Sequence, residues 1–188
     1  MRTDRGSTLL ALARGVIART LDKPAPGIEN ADWLKEPGAT FVTLTQQGEL
    51  RGCIGSLMAE RPLSEDVESN ALAAAFRDPR FPPVTQHEYP DLEVEVSLLS
   101  AMEPIQFESE MHLLSLLRPG VDGVLLEHGF RRGTFLPQVW EQLPEPRAFL
   151  AHLKQKAGLP PDFWSEEVRL SRYTVTKWRE SDPKRAGH

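Results

Sequence analysis

The chain holds one cysteine, in Arg51-Gly52-Cys53-Ile54-Gly55. Two glycines clear bulk from around its sulfur, and an arginine stands two residues before it. In a regular strand, residues two apart share a face, about 6.5–7 Å from one another. A cation at that distance favours the thiolate, the reactive form of cysteine. The pentapeptide is therefore a candidate nucleophile or redox-sensitive thiol, with Cys53 as the reacting group and Arg51, Gly52 and Gly55 framing a substrate. The alternative is a small buried hydrophobe, since free cysteine is among the most buried residue types. Gly52 also suits close backbone packing, and Gly55 a strand end at positive φ.

Further candidates lie at intervals along the chain. Arg80 sits in Asp78-Pro79-Arg80-Phe81-Pro82-Pro83. The prolines stiffen that loop, so its guanidinium loses little entropy on gripping a carboxylate or phosphate. The alternative for Arg80 is a structural ion pair with Asp78 or with a glutamate of the sheet face. Glu95 projects from the polar face of a strand and could act as general base or neutralise an arginine. Asn70 is placed to donate a hydrogen bond to a ligand, or to face solvent or bond locally on its helix. Gln138, after Pro137, could orient a substrate or bond backbone in a tight connection. The five histidines show no zinc-type spacing, so no metal site is expected. No G-x-G-x-x-G or P-loop pattern occurs, which argues against nucleotide binding of those types. The sequence names no cofactor.

With 188 residues the chain suits one domain, or two small subdomains. Lys and Arg number 22 against 27 Asp and Glu, a net charge of −5. That balance offers no overall field for phosphate backbones, so nucleic-acid partners are disfavoured. A lone thiol suits a reducing compartment. Arg14 and Arg19 interrupt the apolar start, and nothing approaches about 20 apolar residues in a row. The expectation is a cytoplasmic protein with no membrane partner.

The periodicities predict the elements that must position these residues. Helical spacing covers 8–21, and Pro24 and Pro26 are expected to end that helix. A hairpin spans 40–45 and 49–54 about Gln46-Gln47-Gly48, and carries the cysteine on its second strand. Ser64 is the expected cap of a helix running to about residue 77. Strict alternation marks a strand over 92–99. A short helix near 108–117 leads to a second hairpin, 123–127 and 131–136, around Gly129. A helix over 146–157 and a single strand over 168–178 follow. Each half reads strand-strand-helix-strand, over about 40–99 and 121–178. The letters Gly48-x-x-Arg51-Gly52 recur as Gly129-x-x-Arg132-Gly133, which places Thr134 where Cys53 stands. The expected fold is α+β, two such units with mixed or antiparallel sheets plus an N-terminal helix. It is read as one domain over residues 1–180 with a polar tail over 181–188.

Leu50-Arg51-Gly52-Cys53-Ile54-Gly55 resembles the signature of the AMMECR domain family. So do Asp78-Pro79-Arg80-Phe81-Pro82-Pro83, Glu95-Val96-Ser97-Leu98-Leu99, Leu136-Pro137-Gln138-Val139 and Lys156-Ala157-Gly158-Leu159-Pro160, in that order. The likeness covers roughly residues 9–178. It is greatest to the single-domain bacterial or archaeal form, protein A of the AmmeMemoRadiSam system. The resemblance implies an α+β fold with a larger and a smaller subdomain, and companions that are a Memo-like protein and a radical S-adenosylmethionine protein. It implies no settled activity. Two functions are therefore expected. In one, the chain is an enzyme or enzyme component. A cleft between the subdomains binds a small anionic substrate through Arg51 and Arg80, with Cys53 as thiolate and Glu95 as nearby base. In the other, it is a non-catalytic adaptor whose glycine-lined groove receives a segment of either companion.

Overall fold

The computed structural model describes residues 4–182. They form two compact units, one from the residues up to Leu99 together with those from Thr176 onward, the other Ser100–Val175. In the first, α1 (Arg5–Thr20) precedes β1 (Thr40–Gln46), β2 (Glu49–Gly55), α2 (Leu63–Phe76) and β3 (Leu92–Leu99). In the second, β4 (Glu103–Pro104), α3 (Glu110–Leu116), β5 (Gly123–His128), β6 (Arg131–Phe135), α4 (Pro146–Lys156) and β7 (Arg169–Tyr173) follow. The last strand, β8 (Val175–Arg179), returns to the first sheet.

The first sheet has the order β2-β1-β3-β8 and the second β6-β5-β7-β4. Each thus lays the second strand of its hairpin at one edge, then the first, then the strand after the helix, then one more. The registers of β1 with β2 and β3, and of β5 with β6 and β7, are all antiparallel. The α+β architecture and the N-terminal helix stand as the sequence indicated.

In the first unit the alternation of β1 and β3 sends Val42, Leu44, Val94 and Val96 to one face, where they are buried. Leu9, Leu12, Ala13, Val16 and Ile17 of α1 and Val67, Ala71, Ala74 and Ala75 of α2 complete that core. Phe41, Thr43, Glu93 and Glu95 occupy the other face of the strands. In the second unit Val124, Leu126 and Leu170 pack with Phe149, Leu150 and Leu153 of α4. The Trp140 ring stacks on Phe149 at 3.7 Å between centroids.

Three local expectations need correction. The α2 helix begins at Leu63 after Pro62, so Ser64 lies inside the first turn and is not the cap. The prolines after α1 are not what stops it. Asp22 takes φ +54°, and the N–H groups of Asp22 and Lys23 donate to Arg19 and Ala18 carbonyls, a Schellman closure at an aspartate. The stretch 168–178 is two strands, because the chain leaves one sheet at Thr174 and joins the other. No glycine or proline marks that point, so its β-branched composition reads as continuous. Of the predicted tail, Ser181 bonds Glu93 through both its N–H and its hydroxyl, and Asp182 accepts the Arg179 N–H. Residues 183–188 lie outside the described residues.

Candidate functional site

The cysteine motif occupies β2, the edge strand of the first sheet. Its register on β1 shifts between Leu44 and Thr45. Leu44 faces Gly52, Thr45 faces Leu50, and Arg51 is the residue left over. A bulge of this kind breaks the two-residue alternation. The expectation that Arg51 and Cys53 share a face, which needs a regular strand, therefore fails here. The Arg51 guanidinium goes instead to Glu88, with Nε donating to Oε1 at 3.0 Å and Nη2 to Oε2 at 3.2 Å. Arg51 is 8% exposed, and its Nη1 is buried without a hydrogen-bond partner.

Cys53 is half-buried. Its N–H donates outward to Asp78 Oδ2 at 3.0 Å, and its carbonyl accepts from Arg80 Nη2 at 3.3 Å. The open edge of β2 is thus closed by an ion pair where a neighbouring strand would otherwise lie. With those groups turned outward, Cys53 and its register partner Thr43 form a non-hydrogen-bonded pair, the kind that brings side chains closest. Sγ and Thr43 Oγ1 lie 3.3 Å apart.

Arg80 is held by Asp78 through Nε at 3.0 Å and Nη2 at 2.7 Å, and the Arg80 N–H donates to the same carboxylate. The Arg80 side chain is half exposed, while that of Asp78 is sealed. The hydrogen bond from Arg80 holds the Asp78 carboxyl far below the usual carboxylate range. The Cys53 and Arg80 N–H groups act the same way, and burial opposes them. Phe81 lies near both arginines, its ring centroid 5.9 Å from Arg51 Cζ and 5.5 Å from Arg80 Cζ.

The remaining candidates have their own surroundings. Thr43 is the register partner of both Cys53 and Glu95, so β1 stands between thiol and carboxylate. Two interstrand spacings put their backbones about 10 Å apart. The Glu95 carboxylate accepts from Arg179 Nε. Asn70 is buried on α2, where its amide donates to the Thr40 carbonyl at 3.0 Å, to Ser56 Oγ and to Asp66. Asp66, wholly buried, also takes the Thr40 N–H and hydroxyl and Arg61 Nε. The space that Gly52 leaves open is filled by α2, since a Cβ there would stand 2.1 Å from the Ala74 carbonyl oxygen. The space at Gly55 is filled by the Phe41 ring. Gln138 is exposed on the short helical turn Pro137–Glu141 of the second unit.

Glu88 and Thr85 were not anticipated as part of this cluster. The signal was present: Thr85-x-x-Glu88 is a capping box. Thr85 N–H donates to Glu88 Oε2 at 2.8 Å, and Glu88 N–H donates back to Thr85 Oγ1 at 3.3 Å. The bond from Arg51 lowers the Glu88 pKa, with burial opposing and Thr85 assisting. Among the described residues, no three His, Cys, Asp or Glu side chains stand where they could hold a metal ion, and no helix is long and apolar enough to cross a membrane.

The family described as AMMECR1 matches residues 10–178. A protein of Methanothermobacter thermautotrophicus is 40% identical over 186 residues, covering 94% of this chain and 95% of that one. Protein MJ0810 of Methanocaldococcus jannaschii is 39% identical, covering 96% and 92% respectively. The crystal structure of the uncharacterised protein PH0010 from Pyrococcus horikoshii matches with a TM-score of 0.80 and 36% identity, over 95% of this chain and 92% of that one. The ordered motifs, the two sheets and these relatives agree, and the chain belongs to the AMMECR1 family.

Proposed function

We propose that the chain binds a small anion at Arg51, beside Phe81 and Arg80, and is an enzyme or enzyme component that uses the thiol of Cys53, the residue whose carbonyl Arg80 holds. The observation that carries this reading is Arg51 Nη1, a buried cationic donor with no acceptor. Leaving such a donor unmatched costs on the order of 1–3 kcal/mol, and an anionic oxygen offsets that cost. Side-on pairing with Glu88 uses Nε and Nη2, which leaves Nη1 for a second acceptor. Arg80, fixed by Asp78 and half exposed, adds a second ordered cation beside the same ring.

Titration calorimetry with inorganic phosphate and with small carboxylates tests the reading. Saturable binding is expected, lost in Arg51→Lys and weakened in Arg80→Ala, with phosphate slowing alkylation of Cys53 by iodoacetamide. No saturable heat from the folded protein overturns it.

A second reading is a non-catalytic adaptor for a Memo-like or radical S-adenosylmethionine protein. It is favoured by a different observation: Arg51, Arg80 and Glu95 each already hold a charged partner within the chain. On that reading Cys53→Ala keeps complex formation with the purified companion and Cys53→Trp loses it. Loss in both, or no complex at all, counts against the adaptor.

A further inference from the structure

Before any ligand arrives, the Arg51 fork is already occupied by Glu88. The Glu88 carboxylate sits among four donors. Arg51 supplies Nε and Nη2, at 3.0 and 3.2 Å, and Thr85 supplies its N–H at 2.8 Å and its hydroxyl at 3.2 Å. A guanidinium fork joined by a backbone N–H and a hydroxyl is what a bound carboxylate or phosphate would be given. Glu88 differs from the other carboxylate of this loop. Asp78 has 2% of its side chain exposed and holds the Cys53 backbone in place, whereas Glu88 keeps 25% of its side chain exposed. It can leave without uncovering a strand edge.

Resting on the anion-site reading, we infer that Glu88 is an internal competitor: its carboxylate occupies and neutralises the Arg51 fork, and an incoming anion binds by displacing it or against its charge. The capping box gives Glu88 a structural task as well. The two tasks separate because a glutamine side chain still reaches back to the Thr85 N–H, as capping boxes allow, but carries no charge to set against an anion.

The test is titration of the full-length chain with inorganic phosphate at neutral pH and fixed ionic strength. Glu88→Gln is expected to bind phosphate about ten-fold tighter than the parent chain, a difference of about 1.4 kcal/mol. The double variant Arg51→Lys/Glu88→Gln is expected to lose that gain, which assigns it to the fork and not to a general change in charge. Phosphate binding that is unchanged or weaker in folded Glu88→Gln overturns the competitor and leaves the anion site standing. Absence of binding in both the parent chain and Glu88→Gln, each shown folded by circular dichroism, overturns the anion site and the competitor with it. Should Glu88→Gln not fold, Glu88→Asp withdraws the carboxylate by one methylene while keeping a capping acceptor. A smaller gain in phosphate affinity there supports the competitor, and no gain overturns it.

Discussion

In the hairpin of β1 and β2, the arginine of Gly48-x-x-Arg51-Gly52 is a bulged residue, buried and paired with Glu88. In the hairpin of β5 and β6, Arg132 of Gly129-x-x-Arg132-Gly133 stands opposite Glu127 in unbroken register and is exposed. The glycine that follows does the same task twice. Gly52 lies against the Ala74 carbonyl of α2, and Gly133 against the Ala157 and Lys156 backbone at the end of α4. The carbonyl of the next residue is also met by a cation in both, Arg80 on Cys53 and Lys156 Nζ on Thr134. The side chains of those residues then diverge. Thr134 is buried and hydrogen-bonded to the Val124 carbonyl and the Tyr173 hydroxyl, whereas Cys53 is half-buried with the Thr43 hydroxyl at hydrogen-bond distance from its sulfur. A shared framework thus carries a buried polar contact in one hairpin and a half-buried thiol in the other. One inserted residue makes the difference at the arginine.

The glycines should break this framework most. Gly52→Ala puts a methyl 2.1 Å from a backbone oxygen, where nothing flexible can yield, and is expected to cost at least about 3 kcal/mol. Gly133→Ala meets backbone nitrogen at 2.9 Å and should cost less, about 1–2 kcal/mol. Urea denaturation of both variants reads the difference, and equal losses would deny that α2 sits closer to its hairpin than α4 does.

The arginines come next. Arg51→Ala strands a partly buried carboxylate and is expected to cost about 2–3 kcal/mol, while Arg132→Ala should stay within about 0.5 kcal/mol. A comparable cost at the two positions, measured the same way, would mean that the bulge does not matter energetically.

The clamp on the Cys53 backbone sets a pH dependence through the Asp78 carboxylate, where the second hairpin places the Lys156 ammonium on the Thr134 carbonyl. The folded Asp78 pKa is depressed relative to its ordinary 3.8. Its contribution is therefore fully present above that value and is lost as pH falls through the folded one. Glu88, also lowered, acts with the same sign. Asp78→Asn should lose about 2 kcal/mol at pH 7, a loss that begins to shrink below about pH 4 and closes only well below about pH 3, so the two denaturation midpoints converge on strong acidification. Parallel curves would remove Asp78 from the acid response.

The smallest effect is expected from exchanging the matched side chains. Cys53→Thr should change stability by less than about 1 kcal/mol, because the site is half exposed and a hydroxyl can serve Thr43. Thr134→Cys should cost about 1–2 kcal/mol by leaving the buried Tyr173 hydroxyl short of a partner. A Tyr173 ionisation pushed up to about 12 by burial marks how apolar that environment is.

Much of this was legible before any coordinates. Alternation in 92–99, the turn residues of both hairpins and the near-helical spacing of Leu9, Leu10, Ala13, Ile17 and Leu21 are local signals, and periods of 2 and 3.6 map directly onto faces. The motifs identified the family for the same reason, since they are short runs read along the chain. The site was legible only in its membership. Cys53, Arg51 and Arg80 were singled out by residue type, and Asp78–Arg80 was one of two partnerships weighed. Glu88 was missed although Thr85-x-x-Glu88 was there to be read.

The chain's order of letters determined, by itself, which segments form strands and helices and which carry the reactive groups, because those depend on neighbours within a turn or two. Only the tertiary structure decided that an extra residue at Arg51 turns it from the thiol to a carboxylate 37 positions on. It alone decided that Asp78 and Arg80 stand in for a missing strand at Cys53, and that the last strand divides between two sheets. A register shift and a long-range ion pair are settled by competition between distant groups for the same space and the same charge, and no window of sequence contains both competitors.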